Sequence, residues 1–284
     1  MKRYLGLMAV FVLITTLAFG GAGAVGAAGT VVVTPANTQG WTTADTRPGG
    51  AVTFVNADAP PGGGTGSLQL TTDATTTAKA QYMHAVNTPL SAVTQLSYYT
   101  KQVSSLFSGG DPSYQLVVCL TGVNTTTGEC NPGNPGTERS TSFAVFVFEP
   151  YENGTVVPSA WQSWDVAAGQ FWSTRAVTCA NGGVARGFGG PPFYSLAQIK
   201  TMCPSAVATA YGVNIGSNNP GYTVRTDLVN FNGTTSNFEL YNAPTDKDQC
   251  KDGGWQAFSP QSGAFKDQGA CVSYTNHLPT HGDG

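Results

Sequence analysis

Charged side chains are scarce in this chain of 284 residues, because Asp, Glu, Lys and Arg together make up only 10% of it. An average globular protein holds roughly 25%. The formal net charge is -3 at pH 7, and the Lys and Arg residues form no basic run or stripe. Proteins that bind nucleic acid need clustered basic side chains to neutralise phosphates. The composition therefore argues against a nucleic-acid partner.

The sequence also has few groups for metal or nucleophilic chemistry. Its three histidines are His84, His277 and His281, and no CxxC pair or Cys–His spacing typical of zinc ligands occurs. No Gly-x-Ser-x-Gly nucleophile elbow is present either. We therefore expect no zinc centre and no serine hydrolase, and we interpret His84 as a polar strand or loop residue.

Long apolar runs are absent except at the amino terminus. There, Lys2 and Arg3 precede an apolar stretch over residues 4–19, which is followed by small residues. The stretch is shorter than the ~20 residues that span a bilayer, and the three-part pattern is typical of a secretory signal peptide. The sequence thus predicts a signal peptide over 1–28, cleaved after Ala24 or Ala28. It predicts a secreted, extracellular protein that keeps no membrane span after cleavage.

The six cysteines all follow this segment, and their even number favours disulfides in an exported chain. They stand at Cys119, Cys130, Cys179, Cys203, Cys250 and Cys271. Their spacing suggests that neighbours pair in order, although other pairings are formally open. Each such bridge would close a loop of moderate length and contribute roughly 3 kcal/mol in the chain-entropy model.

What the sequence has in abundance is glycine, proline and short segments of strand character. The 36 Gly and 17 Pro indicate many turns, and the segments between them are rich in Thr, Val and aromatic residues. The expected strands lie at 31–34, 52–55, 67–72, 93–103, 113–121, 142–149, 161–167, 171–177, 206–215, 226–231 and 234–240. Short strands separated by turn clusters predict an all-β sandwich over 29–243.

Two local signals are specific enough to name. Asn232-Gly233 between two of these segments predicts a hairpin with a type I′ turn. Ser195 and Gln198 have the spacing of a capping box, and the apolar residues after them predict one short helix that ends at Cys203-Pro204.

The carboxy-terminal region differs from the rest, and we expect a small disulfide-stapled unit over 244–277 and a flexible tail over 278–284. Lys-Asp-Gln occurs at 247–249 and again at 266–268, and a cysteine follows soon after each copy. So short a segment cannot bury a core alone, which gives a bridge a stabilising role. The pattern of 247–255 and 265–274 resembles a short carboxy-terminal module of uncharacterised bacterial secreted proteins. That resemblance implies a secreted bacterial protein and a Cys250–Cys271 bridge, but no activity.

The body of the chain, roughly 40–240, resembles the jelly-roll sandwiches of carbohydrate-binding modules and of concanavalin-like lectin and laminin-G domains. The segments that carry the resemblance are 66–70, 148–151, 161–165 and 227–231. It implies a jelly-roll-like fold. In many such modules an Asp in the last strand helps to hold a structural calcium. Asp227 is the candidate for that position, and no other cofactor is expected.

Candidate catalytic groups are few. Glu149 and Glu152 are three residues apart, with Pro150 between them. A retaining glycosidase needs two carboxyl groups about 5–5.5 Å apart, but Pro150 interrupts the strand that would present them. We therefore interpret this segment as a strand end followed by a turn. A protein without enzymatic activity is the favoured interpretation.

Aromatic recognition is a stronger possibility. Trp161, Trp164 and Trp172 cluster with polar residues, and tryptophan offers a large, rigid surface for the apolar faces of sugars. These three residues are the predicted ligand-binding residues; the alternative is that they belong to the sandwich core. The leading hypothesis is a non-catalytic secreted protein that binds carbohydrate or a cell-envelope polymer. The alternatives are a secreted polysaccharide hydrolase and a purely structural extracellular protein.

Overall fold

The computed structural model describes residues 29–56, 58–127, 129–131, 142–244, 246–261 and 263–277. The predicted signal peptide and the predicted tail lie outside the described residues. The described chain folds mainly into two seven-stranded β-sheets, here termed sheet I and sheet II. In this part of the chain, no helix is long and apolar enough to cross a membrane.

Sheet I is organised around one long strand. Its strands are β1 (Gly29–Val33), β3 (Gly50–Asn56), β4 (Gly66–Thr72), β6 (Leu96–Ser104), β9 (Gln162–Asp165), β15 (Thr223–Phe231) and β16 (Thr234–Phe238). Strand β15 pairs along one edge with β6, and along the other edge first with β4 and then with β16. A bulge at Leu228, where φ is 50°, interrupts the pairing of β15 with β6.

Sheet II is a continuous antiparallel sheet. It contains β2 (Trp41–Thr42), β5 (Ala80–Pro89), β7 (Ser113–Cys119), β8 (Phe143–Phe148), β10 (Gln170–Ser173), β13 (Phe193–Ser195) and β14 (Val207–Ile215). The strand order is β13-β10-β8-β7-β14-β5-β2. Strands β11 (Val177–Cys179) and β12 (Gly182–Val184) form a separate hairpin.

One apolar core fills the space between the sheets. Alternate residues of β7 and β8, such as Leu116 and Phe146, are fully buried there, as expected for strands with one face inward. Aromatic rings form much of this core, and Trp41 stacks on Tyr82 with ring centroids 5.3 Å apart. Burial of such large side chains is the main contribution to the stability of the fold. The all-β sandwich predicted from the sequence is therefore confirmed.

The local predictions are confirmed in detail. Asn232 and Gly233 have φ of 52° and 88°, the two positive values that a type I′ turn requires. Helix α2 (Leu196–Met202) begins after Ser195, whose side chain accepts a hydrogen bond from the Gln198 backbone N–H. In return, the Ser195 backbone N–H donates to the side-chain oxygen of Gln198.

The structure also contains elements that the strand pattern did not indicate. The longest is β5, which pairs with β14 along almost its whole length. Its Ala and Asn residues have low strand propensity, so partner strands distant in sequence decide its conformation. The sequence also gave no indication of helix α1 (Pro150–Asn153) or helix α3 (Gln268–Thr275).

Three disulfides join neighbouring cysteines, as the spacing suggested. They connect Cys119 with Cys130, Cys179 with Cys203, and Cys250 with Cys271. The last bridge ties a 3-10 turn at Asp248–Cys250 to helix α3.

Candidate functional site

A cleft with a volume of about 540 Å³ lies on the outer face of sheet II. Side chains on this face alternate with those that enter the core. Strand pairing places Trp172 of β10 beside Val147 of β8, and Val147 beside Gln115 of β7. The three side chains line the cleft. Its floor is therefore built by strands that are far apart in sequence.

A second row of side chains on the same floor is polar. The Ser113 hydroxyl donates to the backbone carbonyl of Asn214 at 3.1 Å, and the side-chain amide of Asn214 donates to Gln81 Oε1 at 3.2 Å. Glu149, one residue beyond β8, continues the row and lines the cleft together with Ser113 and Asn214. These side chains supply both hydrogen-bond donors and acceptors, held in place by the sheet and by one another.

Aromatic side chains from two loops and from helix α1 form the walls of the cleft. Tyr151 donates from its hydroxyl to the Gly189 carbonyl at 3.0 Å, and its ring meets Phe107 edge-on at 5.1 Å. Phe188 lines the same cleft and is 81% exposed. Exposed rings beside a polar floor combine stacking surfaces with groups that fix orientation.

The loops that carry these rings are held by specific hydrogen bonds. The Gln102 side-chain amide donates to the carbonyls of Ser108 and Gly110 at 3.0 and 2.6 Å. On the other wall, the Gly187 N–H donates to the Ser173 carbonyl at 2.8 Å. A Cβ at Gly187 would lie 2.9 Å from Trp172 Cβ, so glycine permits this close approach.

Glu149 is the chemically unusual group of the cleft. Burial of its carboxyl among neighbouring rings raises its pKa to about 8, against the opposing effect of the Trp172 indole. Burial also raises the pKa of Asp111, deeper in the same cleft, to about 7, although a hydrogen bond from Thr100 opposes this rise. Both carboxyls are therefore largely protonated in mildly acidic solution.

The raised pKa of Glu149 predicts a pH dependence of stability. An unfolded Glu has a pKa near 4.3, so between about pH 4.5 and 8 the unfolded chain loses this proton while the folded chain keeps it. The contribution of Glu149 to the free energy of unfolding is then fully present at low pH and falls as pH rises through this window, by up to about 1 kcal/mol per pH unit. Urea unfolding at a series of pH values should show a shallower fall in Glu149→Gln than in the wild-type protein. Identical slopes would contradict the assignment, and Glu129→Gln, at an exposed position that does not line the cleft, is the matched control.

The three predicted ligand-binding tryptophans do not share one surface. Trp172 lies in the cleft on sheet II, whereas Trp164 belongs to β9 of sheet I and Trp161 precedes that strand. The indole N–H of Trp164 donates to Thr100 Oγ1 at 2.7 Å, and its ring packs against the core. The Trp161 indole N–H donates to Asp58 Oδ1 at 3.0 Å. A ligand-binding role for Trp161 and Trp164 stays a prediction.

The sequence reading did not identify Gln115, Asn214 or the exposed Phe188 as site residues. The alternation of polar and apolar residues in β7 marks Gln115 as an outward residue, but it does not say which outward residues meet. From the sequence, Glu149 is a candidate only as a catalytic partner of Glu152. The structure places Glu149 in the cleft, while Pro150 begins the short helix α1 that carries Glu152 away from it.

Asp227, the candidate calcium ligand, lies at the bulge of β15 beneath the glycine-rich loop 60–66. Its Oδ1 accepts the Phe238 N–H at 2.7 Å, whereas its Oδ2 is buried without a hydrogen bond. Asn237 Oδ1 is likewise buried and unpaired. The Glu239 carboxylate is close to the same loop and accepts the Thr65 N–H at 3.0 Å. Carboxylate and amide oxygens are the donors that Ca²⁺ prefers, although no group of three or more His, Cys, Asp or Glu side chains forms a metal cluster in the described residues.

The chain was compared with known families, curated proteins and solved structures. No protein-family model matches the chain, and no curated protein matches it significantly. Among solved structures, it is similar to the family 11 carbohydrate-binding module from Clostridium thermocellum in complex with a β-1,3-1,4-mixed-linked tetrasaccharide. The identity is 10% and the TM-score 0.34, over 67% of this chain and 86% of that module. The family 11 module of the cellulosomal cellulase Lic26A-Cel5E from the same organism has 10% identity and a TM-score of 0.32, over 66% and 86% of the two chains.

Proposed function

We propose that this protein is a non-catalytic glycan-binding protein and that the cleft on sheet II is its binding site. The observation that carries the proposal is the combination of exposed rings on the walls with an ordered polar floor. Phe107 and Phe188 present exposed rings, Trp172 contributes a half-buried ring on the floor, and the half-buried Gln115 and Glu149 contribute polar groups. Sugars have both apolar C–H faces and hydroxyl groups, so this combination matches their chemistry.

The floor is preformed, which favours binding. The Asn214–Gln81 and Ser113–Asn214 hydrogen bonds hold the buried polar side chains of the floor in place. Fixing such groups in advance reduces the entropic cost of association. The cleft volume of about 540 Å³ lies within the range of ligand pockets, about 300–1,000 Å³.

The direct test is a glycan array and a polysaccharide pull-down with the mature protein. We expect binding to a restricted set of polysaccharides and competition by oligosaccharides of the same composition. Absence of binding across a broad panel of plant, fungal and bacterial polysaccharides would contradict the proposal and leave a structural role as the favoured function.

A polysaccharide hydrolase is the second candidate, favoured by the protonated Glu149 in the cleft. A carboxyl group with a raised pKa can act as a general acid toward a glycosidic oxygen. Reducing-sugar release that is lost in Glu149→Gln, while binding is retained, would support this activity. Binding without release would support the non-catalytic function.

We also infer that the protein works outside the cytoplasm. The three disulfides and the predicted signal peptide support export, because disulfides persist in oxidising compartments. Edman sequencing of the secreted protein should begin after Ala24 or Ala28. Retention of Met1 would contradict cleavage.

A structural calcium at Asp227 is a further part of the proposal. Asp227 Oδ2 and Asn237 Oδ1, which are both buried and unpaired, and the nearby Glu239 carboxylate would hold the ion. We expect Ca²⁺ at tenfold excess over its Kd to add about 1.4 kcal/mol to the free energy of unfolding. Asp227→Asn should remove this increment, measured by thermal unfolding with calcium and with EDTA. Asp165→Asn, an exposed carboxylate of sheet I, should keep it. An increment that persists in Asp227→Asn would contradict the site.

A further inference from the structure

We propose that the cleft selects an anionic glycan, one whose sugar rings carry carboxylate groups, and that Arg186 is the residue that recognises the charge. This inference rests on the proposed glycan-binding function of the same cleft. It names the class of ligand, which the fold does not determine.

The first observation is the distribution of basic side chains. The chain is acidic overall, with a net charge of -3, yet Arg47, Lys79 and Arg186 all line the cleft. Two other basic residues of the sandwich, Lys101 and Arg225, both pair with Asp58 on sheet I. The cleft therefore concentrates positive charge on a chain that has little of it.

The three cations are not equivalent. Asp45 forms an ion pair with Arg47 at 3.5 Å and a shorter one with Lys79, so charge is partly neutralised there. Arg186 is exposed, and no carboxylate of the described residues forms an ion pair with it. Of the three cations, Arg186 is therefore the one whose charge is available to bind an anionic ligand.

Arg186 is also placed beside a stacking surface. Its guanidinium carbon lies 4.2 Å from the centroid of the Phe188 ring, and that ring is 81% exposed. A ring can cover the C–H face of a sugar, while a guanidinium binds a planar carboxylate through two parallel hydrogen bonds. A uronic acid residue offers both features on one ring, whereas a neutral sugar offers only the first.

The carboxyl groups of the cleft do not oppose an anionic ligand in mildly acidic solution. Burial raises the pKa of Glu149 to about 8 and that of Asp111 to about 7. The other titratable groups near Glu149 are Tyr151 and Tyr222, whose pKa values are also raised, and the exposed Glu152. At about pH 6 the cleft lining is thus net positive, and it becomes less so as Glu149 and Asp111 ionise.

The test uses pairs of probes that differ only in charge. Oligogalacturonate is compared with its methyl ester, and C6-carboxylated cello-oligosaccharides with the parent cello-oligosaccharides, by calorimetric titration at about pH 6, where ordinary carboxylates are ionised. We expect the carboxylated member of a pair to bind roughly tenfold more tightly, a difference of about 1.4 kcal/mol. Added salt should reduce this preference because screening weakens exposed charge pairs.

Variants separate charge recognition from loss of the fold. Arg186→Gln should bind both members of a pair equally, and Arg186→Lys should restore part of the preference because it restores charge without the bidentate fork. The matched control is Arg175→Gln, since Arg175 also lies over a ring, 3.9 Å from the centroid of Phe143, but does not line the cleft. It should keep the full preference, and thermal unfolding confirms that each variant is folded.

The outcomes distinguish this inference from the proposed function. Equal binding of both members of a pair, or a glycan screen that yields only neutral or sulfated ligands, would overturn the selectivity and leave glycan binding intact. A preference that survives in Arg186→Gln would overturn the role of Arg186. Failure of every glycan to bind would overturn both proposals.

Discussion

Replacing Trp172 with alanine is expected to weaken glycan binding by roughly 30-fold, or about 2 kcal/mol, the size of an aromatic hot spot. Trp172 occupies the floor of the cleft, next to Val147 of β8 and under the loop at Gly187. Its loss removes the only tryptophan ring among the described residues that line the cleft and leaves the sheet hydrogen bonds in place. Isothermal titration with the best ligand from the glycan screen measures the effect.

Two further tryptophan variants serve as controls for this prediction. Trp161→Phe and Trp164→Phe alter sheet I, away from the cleft, and each removes an indole hydrogen bond, to Asp58 or to Thr100. We expect binding affinity close to that of the wild-type protein in both variants, with a modest loss of stability. Equal loss of affinity in all three variants would contradict the cleft as the site and would favour the sequence-based prediction of a ligand surface shared by the three tryptophans.

Removing the Cys179–Cys203 bridge should cost about 3 kcal/mol of unfolding free energy, because the bridge closes a loop of 24 residues in the unfolded chain. Cys203 is buried at the end of α2, next to the core residue Ile199, and Cys179 ends β11. The double variant Cys179→Ala/Cys203→Ala avoids a free thiol. Urea unfolding, followed by tryptophan fluorescence, measures the change.

The Cys250–Cys271 bridge provides a matched control, since it closes a loop of similar length, 21 residues. It lies wholly within the carboxy-terminal segment, so Cys250→Ala/Cys271→Ala should leave the main unfolding transition of the sandwich nearly unchanged. A main transition that moves equally in both double variants would contradict this division of roles.

The Cys179–Cys203 variant should also weaken glycan binding, because the wall loop with Arg186 and Phe188 directly follows the β11–β12 hairpin.

Much of the fold could be predicted because it is encoded locally. The I′ turn at Asn232-Gly233 and the capping box at Ser195 depend on residues within three positions of each other, and the polar–apolar alternation of β7 fixes which of its residues enter the core. The neighbour pairing of the cysteines has the same origin, since short loops bring their ends together readily.

The position of β5 could not be predicted in this way. Its own residues carry a weak strand signal, and it becomes a strand because β14 and β2 supply its hydrogen-bond partners. Its place within sheet II is therefore a property of the assembled sheet.

Most of the site, like β5, could not be predicted from the sequence. Residue type alone determined that the protein has few charges, six cysteines available for bridges and aromatic residues that suit sugars. Only the tertiary structure decided that Trp172 shares a cleft with Gln115, Asn214 and Glu149, while Trp161 and Trp164 lie on the other sheet. The physical reason is that the pairings of β10 with β8, β8 with β7, and β7 with β14 join strands far apart in sequence, and such pairings depend on the packing of the whole sandwich.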